Sequence, residues 1–419
     1  MTHDALLFNQ AFLLLLAAVT ATRWWLAVRQ IRHVSAHRNQ VPSAFQSRIR
    51  LADHQKAADY TCAKVDLRII HTLVDTLLLL LFTVGGLLDT LNLQLNTLLG
   101  PGWAHDLVLV GSVLLISAVI EMPLGLYSTF RLEARFGFNR MTLRLYLMDL
   151  LRELLVTLII GVPVFLSAVW MMNSLGSLWW LWAWVAWMAF NILVLALYPT
   201  LIAPLFNRFS PLPEGELRER VETLLQRCGF RSSGLFVMDG SKRSNHGNAY
   251  FTGFGKTKRV VFFDTLLERL TPSETEAVLA HELGHFNGRH VLQRIALLFA
   301  LSLVFLAALG ALKEALWFYQ GLGVSTSGTA LCLILFMLVA PLFTFVLQPL
   351  MSLYSRRHEF EADAYATRHA SAALLVSALV KLYQDNASTL TPDPVHSAVY
   401  DSHPPASVRI ARIEALSRA

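Results

Sequence analysis

The apolar residues of this chain are gathered into long blocks, at about residues 6–28, 69–88, 107–126, 154–172, 178–197, 291–312 and 331–353. A helix rising 1.5 Å per residue needs roughly 20 such residues to cross a bilayer core about 30 Å thick. The pattern predicts a mainly α, polytopic membrane protein of about seven transmembrane helices. The first block has no basic flank before it and no clear small-residue cleavage site, so a retained span is expected, not a signal peptide. Two polar regions interrupt the apolar rhythm. The predicted organisation is a membrane domain of five spans over 1–206, a polar insert over 207–290, two last spans over 291–354 and a C-terminal segment over 355–419.

Composition agrees with a membrane protein. The 419 residues are 55% hydrophobic and 15% charged, against about 25% charged in a soluble domain. The net charge of +6 does not point to nucleic acid, because the Lys and Arg residues lie mostly between the apolar blocks. They crowd into 29–68, 131–152, 207–290 and the C-terminal tail. The intervening links at 89–105, 173–177 and 313–314 carry only Lys313. Positive residues favour the cytoplasmic side, which predicts an external N-terminus, a cytoplasmic C-terminus and both long polar segments in the cytoplasm. His71, Asp75, Glu121 and Asn191 fall inside spans, where polar groups avoid lipid; they line a chamber or hydrogen-bond between helices. Cys62, Cys228 and Cys332 are far apart and form no CxxC pair, which excludes a thiolate metal site or disulfide framework.

The candidate chemistry sits in the insert. Thr271-Pro272-Ser273-Glu274 is a helix-start signal, and His281-Glu282-Leu283-Gly284-His285 follows one helical stretch later. On a helix His281 and His285 share a face and can reach one ion, while Glu282 can reach a water on it without being a ligand. That is the residue set of zinc-assisted amide hydrolysis. Residues 234–239 and 259–263 read as short strands. The stretch 244–251 between them, with Gly253 and Gly255, reads as a hairpin or small sheet whose edge could pair with an extended chain. A third ligand is expected from a later helix. Glu359 and Asp363, four apart after the last block, offer one carboxylate for the metal and one to orient a ligand histidine. Ala362 and Ala366 permit close helix approach, and Glu361 points elsewhere. His246, His290 and His358 show no spacing logic and are expected to be structural or surface residues.

His281-Glu282-x-x-His285 followed by Glu359-x-x-Ala362-Asp363 resembles the CAAX prenyl protease 1 family of integral-membrane zinc endopeptidases. Glu133-x-x-Phe136-Gly137-Phe138-Asn139, Ala203-Pro204-Leu205-Phe206, Asn248-Ala249-Tyr250-Phe251 and Ser402-His403-Pro404-Pro405 with Arg409 are similar to that family's blocks too. The resemblance implies spans around a chamber and a zincin-like cytoplasmic catalytic segment carrying a small β-sheet. It implies one zinc ion per chain on His281, His285 and Glu359, with Glu282 as general base and His403 on the oxyanion. Asp363 would support the site, Arg409 would hold substrate or support the site, and Asn248 and Ala249 would lie on the substrate edge. It further implies a peptide or protein substrate, prenylated in the family's CAAX reaction, and the lipid bilayer as surroundings. Short Arg-rich loops and a tail, 416–419, without an ER-retrieval signal favour a bacterial inner membrane over the ER. In that setting a quality-control metalloprotease without prenyl specificity is the rival enzyme. A zinc-stabilised, non-catalytic scaffold is the rival of another class, and Glu282, which a structural site does not need, argues against it.

Overall fold

The computed structural model describes residues 1–230, 232–252 and 258–418, so Gly253 and Gly255 lie outside the described residues. Helices α1 (His3–Ala36) and α2 (Leu51–Phe82) pack extensively against each other. At Gly85-Gly86 the chain bends by 47° into α3 (Leu87–Leu99). Helix α4 (Trp103–Tyr127) runs on through a π-helical turn at Ser128–Glu133. Helices α5 (Leu143–Val156) and α6 (Val162–Ser174) are joined by another such turn. So are α7 (Trp179–Leu197) and α8 (Ala203–Phe206).

The insert then contributes β1 (Phe209–Pro211), α9 (Glu216–Arg227), β2 (Leu235–Met238), β3 (Ala249–Thr252), β4 (Arg259–Phe263), α10 (Asp264–Leu267) and α11 (Pro272–Asn287). Helices α12 (His290–Leu312), α13 (Leu316–Gly321), α14 (Thr329–Thr344) and α15 (Gln348–His369) follow. The chain closes with α16 (Ala372–Asp385), α17 (Pro394–Tyr400) and α18 (Ala406–Arg418).

Among the described residues six helical runs are long and apolar enough to cross a membrane: His3–Ala36, Trp103–Glu133, Leu143–Ser174, Gly176–Phe206, His290–Leu312 and Thr329–His369. The bent pair α2–α3 makes a seventh, so each predicted block falls on a span. The link at 89–105 is a difference, since most of it is helix α3. Leu88, Leu91 and Leu95 recur at helical spacing and pack into the membrane-side core with Phe82, Leu109 and Leu335. The segment is helical but too short to span alone, which is why it passes for a connection.

Much of the apolar surface of the spans is left uncovered by the rest of the chain. In four of them the most apolar stretch is only 6–11% buried. The accessible surface is 21658 Å², against about 16,000 Å² for a close-packed monomer of 46.9 kDa. Asp75 and Glu121 are exposed within their spans, and Asn191 donates to the Trp187 carbonyl of its own helix.

A second core lies in the polar part of the chain. It joins Phe45 to Val221 and Leu224 of α9, Val260 and Phe262 of β4, Leu279 and Leu283 of α11, and Ile410 and Ile413 of α18. The sheet has the order β1-β2-β4-β3, with β2 and β4 parallel and both outer pairs antiparallel. The predicted strands at 234–239 and 259–263 are β2 and β4. The expected hairpin at 244–251 supplies only the edge strand β3, and the three-residue β1, Phe-Ser-Pro, is too short to show a pattern.

Helix α11 begins where its sequence says it should. The Thr271 hydroxyl accepts from the Glu274 N–H at 3.3 Å, and Glu274 accepts from the Thr271 N–H at 2.8 Å. The buried Glu274 carboxylate also accepts from Lys381 at 2.7 Å and Ser377 at 2.8 Å, tying α11 to α16. Burial works to raise its pKa, and the bonds from Lys381 and Thr271 outweigh it and lower it. Glu274→Gln should therefore cost about 1–3 kcal/mol, read as a lower Tm of the detergent-solubilised protein. Because the folded-state pKa is depressed, this stabilisation is complete at neutral pH. It shrinks only as acid protonates the group, below its unfolded value of about 4.3.

Candidate metal centre

Two helices meet at this site, and one glycine sets how closely. A Cβ built on Gly284 would lie 2.7 Å from the Ala362 Cα and 2.9 Å from its carbonyl oxygen. The small residues Gly284 and Ala362 therefore let α11 and α15 touch backbone to backbone. At that crossing the Nε2 atoms of His281 and His285 are 3.2 Å apart. The Glu359 carboxylate stands 3.5 Å from the first and 3.2 Å from the second. Ligands at about 2.0–2.1 Å from a tetrahedral ion are separated by roughly 3.3–3.5 Å, so the three side chains fit a zinc-sized cation. Glu359 is 4% exposed, and its Oε2 has no hydrogen-bond partner, an orphan that a cation would satisfy.

The groups behind the triad fix its orientation. Asp363, fully buried, accepts from His281 Nδ1 at 2.9 Å. That bond places the proton on Nδ1 and leaves Nε2 free to ligate. Arg409 grips Asp363 with two bonds of 2.6 and 3.0 Å and lies 3.5 Å from Glu359. Burial works to lower the Arg409 pKa, but Asp363 outweighs it, so the guanidinium is a fixed cation. Glu282 lines the same 240 Å³ pocket as His281, Glu359, His403 and Arg409. Burial pushes its carboxyl pKa up against the pull of His281 and His285. His403 is 60% exposed, 3.4 Å from Glu359, and its Nδ1 is 3.0 Å from the Ser402 hydroxyl. Asn248 and Ala249 line the pocket at the edge of the sheet, where among the described residues β3 pairs only with β4. All nine candidate residues thus gather around one pocket or directly behind it.

Three residues set aside in the sequence belong here as well. His290 is 3% exposed, its Nδ1 is 3.0 Å from His285 Nδ1, and its Nε2 is 3.1 Å from Glu361. His358 stacks on His290 at 3.9 Å and is equally buried. Neither histidine is a surface residue, and Glu361 does not point away. The missed signal was the break after the motif. Arg289 adopts a left-handed φ of 53°, and a Cβ on Gly288 would collide with the His290 ring. That turn folds His290 back under His285. His246 stacks on Phe138 at 4.4 Å and stays outside the pocket lining.

Helices of membrane-crossing length and a cluster of two imidazoles and a carboxylate beside Glu282 point to the class, a membrane-integral metallopeptidase. Comparison with known proteins agrees along the whole chain. Residues 30–208 match the family described as CAAX prenyl protease N-terminal, five membrane helices, and residues 211–417 match peptidase family M48. The CAAX prenyl protease 1 homolog of Oryza sativa subsp. japonica is 35% identical, over 74% of this chain and 73% of that protein. CAAX prenyl protease 1 of Saccharomyces cerevisiae is 34% identical, over 75% and 73%. The crystal structure of S. mikatae Ste24p superposes with a TM-score of 0.89 at 29% identity, covering 99% of both chains. The chain belongs to the CAAX prenyl protease 1 family of M48 metallopeptidases.

Two variants probe the geometry through metal content. Gly284→Ala should part α11 from α15 and abolish zinc retention through gel filtration. Asp363→Asn should weaken zinc about 10- to 100-fold in competition with a chelator.

Proposed function

We propose that this chain hydrolyses peptide bonds with one zinc ion held by His281, His285 and Glu359, and that its substrate is a prenylated protein of the CAAX class. The convergence of two imidazoles and a carboxylate at 3.2–3.5 Å carries the reading. The names of the relatives support the substrate class. Bound at this site, zinc would polarise the peptide carbonyl and bring the pKa of a water toward about 7.

Glu282 takes the proton of the attacking water and returns it to the leaving amine. Its raised pKa suits both halves of that task, a base strong enough to accept and an acid strong enough to donate. Ser402 bonds to His403 Nδ1, so that Nε2–H faces the pocket and donates to the carbonyl oxygen as it gains charge. Asp363 and Arg409 hold His281 in the ligating tautomer. The substrate lies extended along Asn248 and Ala249 as a further strand on β3. The distribution of basic segments supports an external N-terminus and a cytoplasmic site, and a division into membrane parts 1–206 and 291–354 and polar parts 207–290 and 355–419 that carry the chemistry.

Glu282→Gln should lower kcat by about 10²- to 10⁴-fold with zinc content unchanged. Wild-type rates of peptide cleavage in that variant would remove Glu282 from its role. A peptide panel tests the substrate: a prenylated peptide should be cut faster than its unprenylated twin. Equal rates would favour a membrane-protein protease without prenyl specificity.

A further inference from the structure

Beside the metal pocket lies a cavity of 590 Å³ between α2, the loop after α16 and the loop between α17 and α18. The two share Tyr383, Asn386, Ser388 and His403, so a chain leaving the metal site can pass His403 into the larger space. The volume lies within the ~300–1,000 Å³ of ligand-binding pockets.

Its walls are cationic. Lys64 and Arg68 lie one turn apart on α2. Among the described residues neither side chain enters a hydrogen bond or an ion pair. Their neighbours are ring faces, Tyr60 at 4.9 Å from Lys64 and Tyr400 at 5.5 Å from Arg68. Asp401 is the one carboxylate on this lining, and it pairs with neither of them. His396 lies 4.9 Å from Tyr400 and is 4% exposed, yet neither of its ring nitrogens has a partner. His396 and Arg68 also line an adjoining hollow with Arg23. Two free cations beside a buried, unpartnered imidazole form a site for an anion that accepts several hydrogen bonds. The planar guanidinium of Arg68 matches a carboxylate.

Given the hydrolase reading above, we propose that this cavity binds the C-terminal α-carboxylate of the peptide on the leaving-group side of the scissile bond. Arg68 is the main contact, with Lys64 and His396 beside it. An extended chain covers about 3.3–3.6 Å per residue, so a few residues reach from the metal site into the cavity. The pocket then selects substrates cut close to a free C-terminus.

The test uses the full-chain zinc protein in phosphatidylcholine vesicles, with and without phosphatidylserine. Two peptides of one sequence end in a free acid or an amide. The wild type should favour the acid by roughly 10- to 100-fold in kcat/KM, chiefly through KM. Arg68→Gln should remove most of that preference, Lys64→Gln part of it, and Arg68→Lys should retain some. Equal rates for acid and amide would overturn the proposal, as would an acid preference that Arg68→Gln leaves intact. So would an Arg68→Gln effect that appears only with phosphatidylserine, which assigns the site to an anionic lipid headgroup. Binding of the labelled pair to the Glu282→Gln protein, followed by anisotropy, decides the matter even if neither peptide is cleaved. An acid preference lost in Arg68→Gln then upholds the anion site while the hydrolase reading falls, and equal affinities overturn the site.

Discussion

The contact between Gly284 and Ala362 is the constraint from which the rest of the site follows. Helices α11 and α15 cannot come this close with any larger residue at 284. Only at that distance does Glu359 reach two imidazoles that the helical repeat already holds together. The same approach brings Asp363 under His281, and Asp363 recruits Arg409 from α18. A buried carboxylate pair of this kind is stable only when each charge is partnered, and the Arg409 bridge supplies the partner. One small residue thus links helix packing, metal geometry and electrostatics.

The site is also coupled to the membrane. Helix α11 passes into the span α12 through the left-handed turn at Arg289, and α15 prolongs the span α14 as one helical run. Both ligand helices are therefore continuations of transmembrane helices, and a shift between those spans moves the ligands. Opposite them stands the open edge of β3, backed by the buried β4. In the proposed reading the two imidazoles and the carboxylate face a strand edge that is unpaired among the described residues, an arrangement that suits an extended chain of varied sequence. Discrimination among substrates then falls to the cavities around that groove.

Much of this was legible in the sequence because it rests on local rules. Seven apolar blocks gave the spans, the Thr271–Glu274 box gave the start of α11, and helical spacing put His281 with His285 and Glu359 with Asp363. The rest depends on tertiary contact, which one sequence does not display. Arg409 meets Asp363 across 46 positions, and only the family resemblance singled it out. His290 follows a helix break, where periodicity no longer says which way a side chain points. Helix α3 and strand β1 fell below the length at which a pattern can be told from a loop. The cluster of Arg68 with His396 joins residues from opposite ends of the chain.

The central claim is that α11 and α15 bring two imidazoles and one carboxylate to a single zinc ion. Zinc-edge X-ray absorption on the purified protein, read beside its zinc content, tests this most directly. One zinc per chain is expected, with two imidazole nitrogens at about 2.0–2.1 Å and the remaining ligands oxygen, and the ion should be lost in Glu359→Ala. A sulfur ligand, or undiminished zinc in Glu359→Ala, would contradict it.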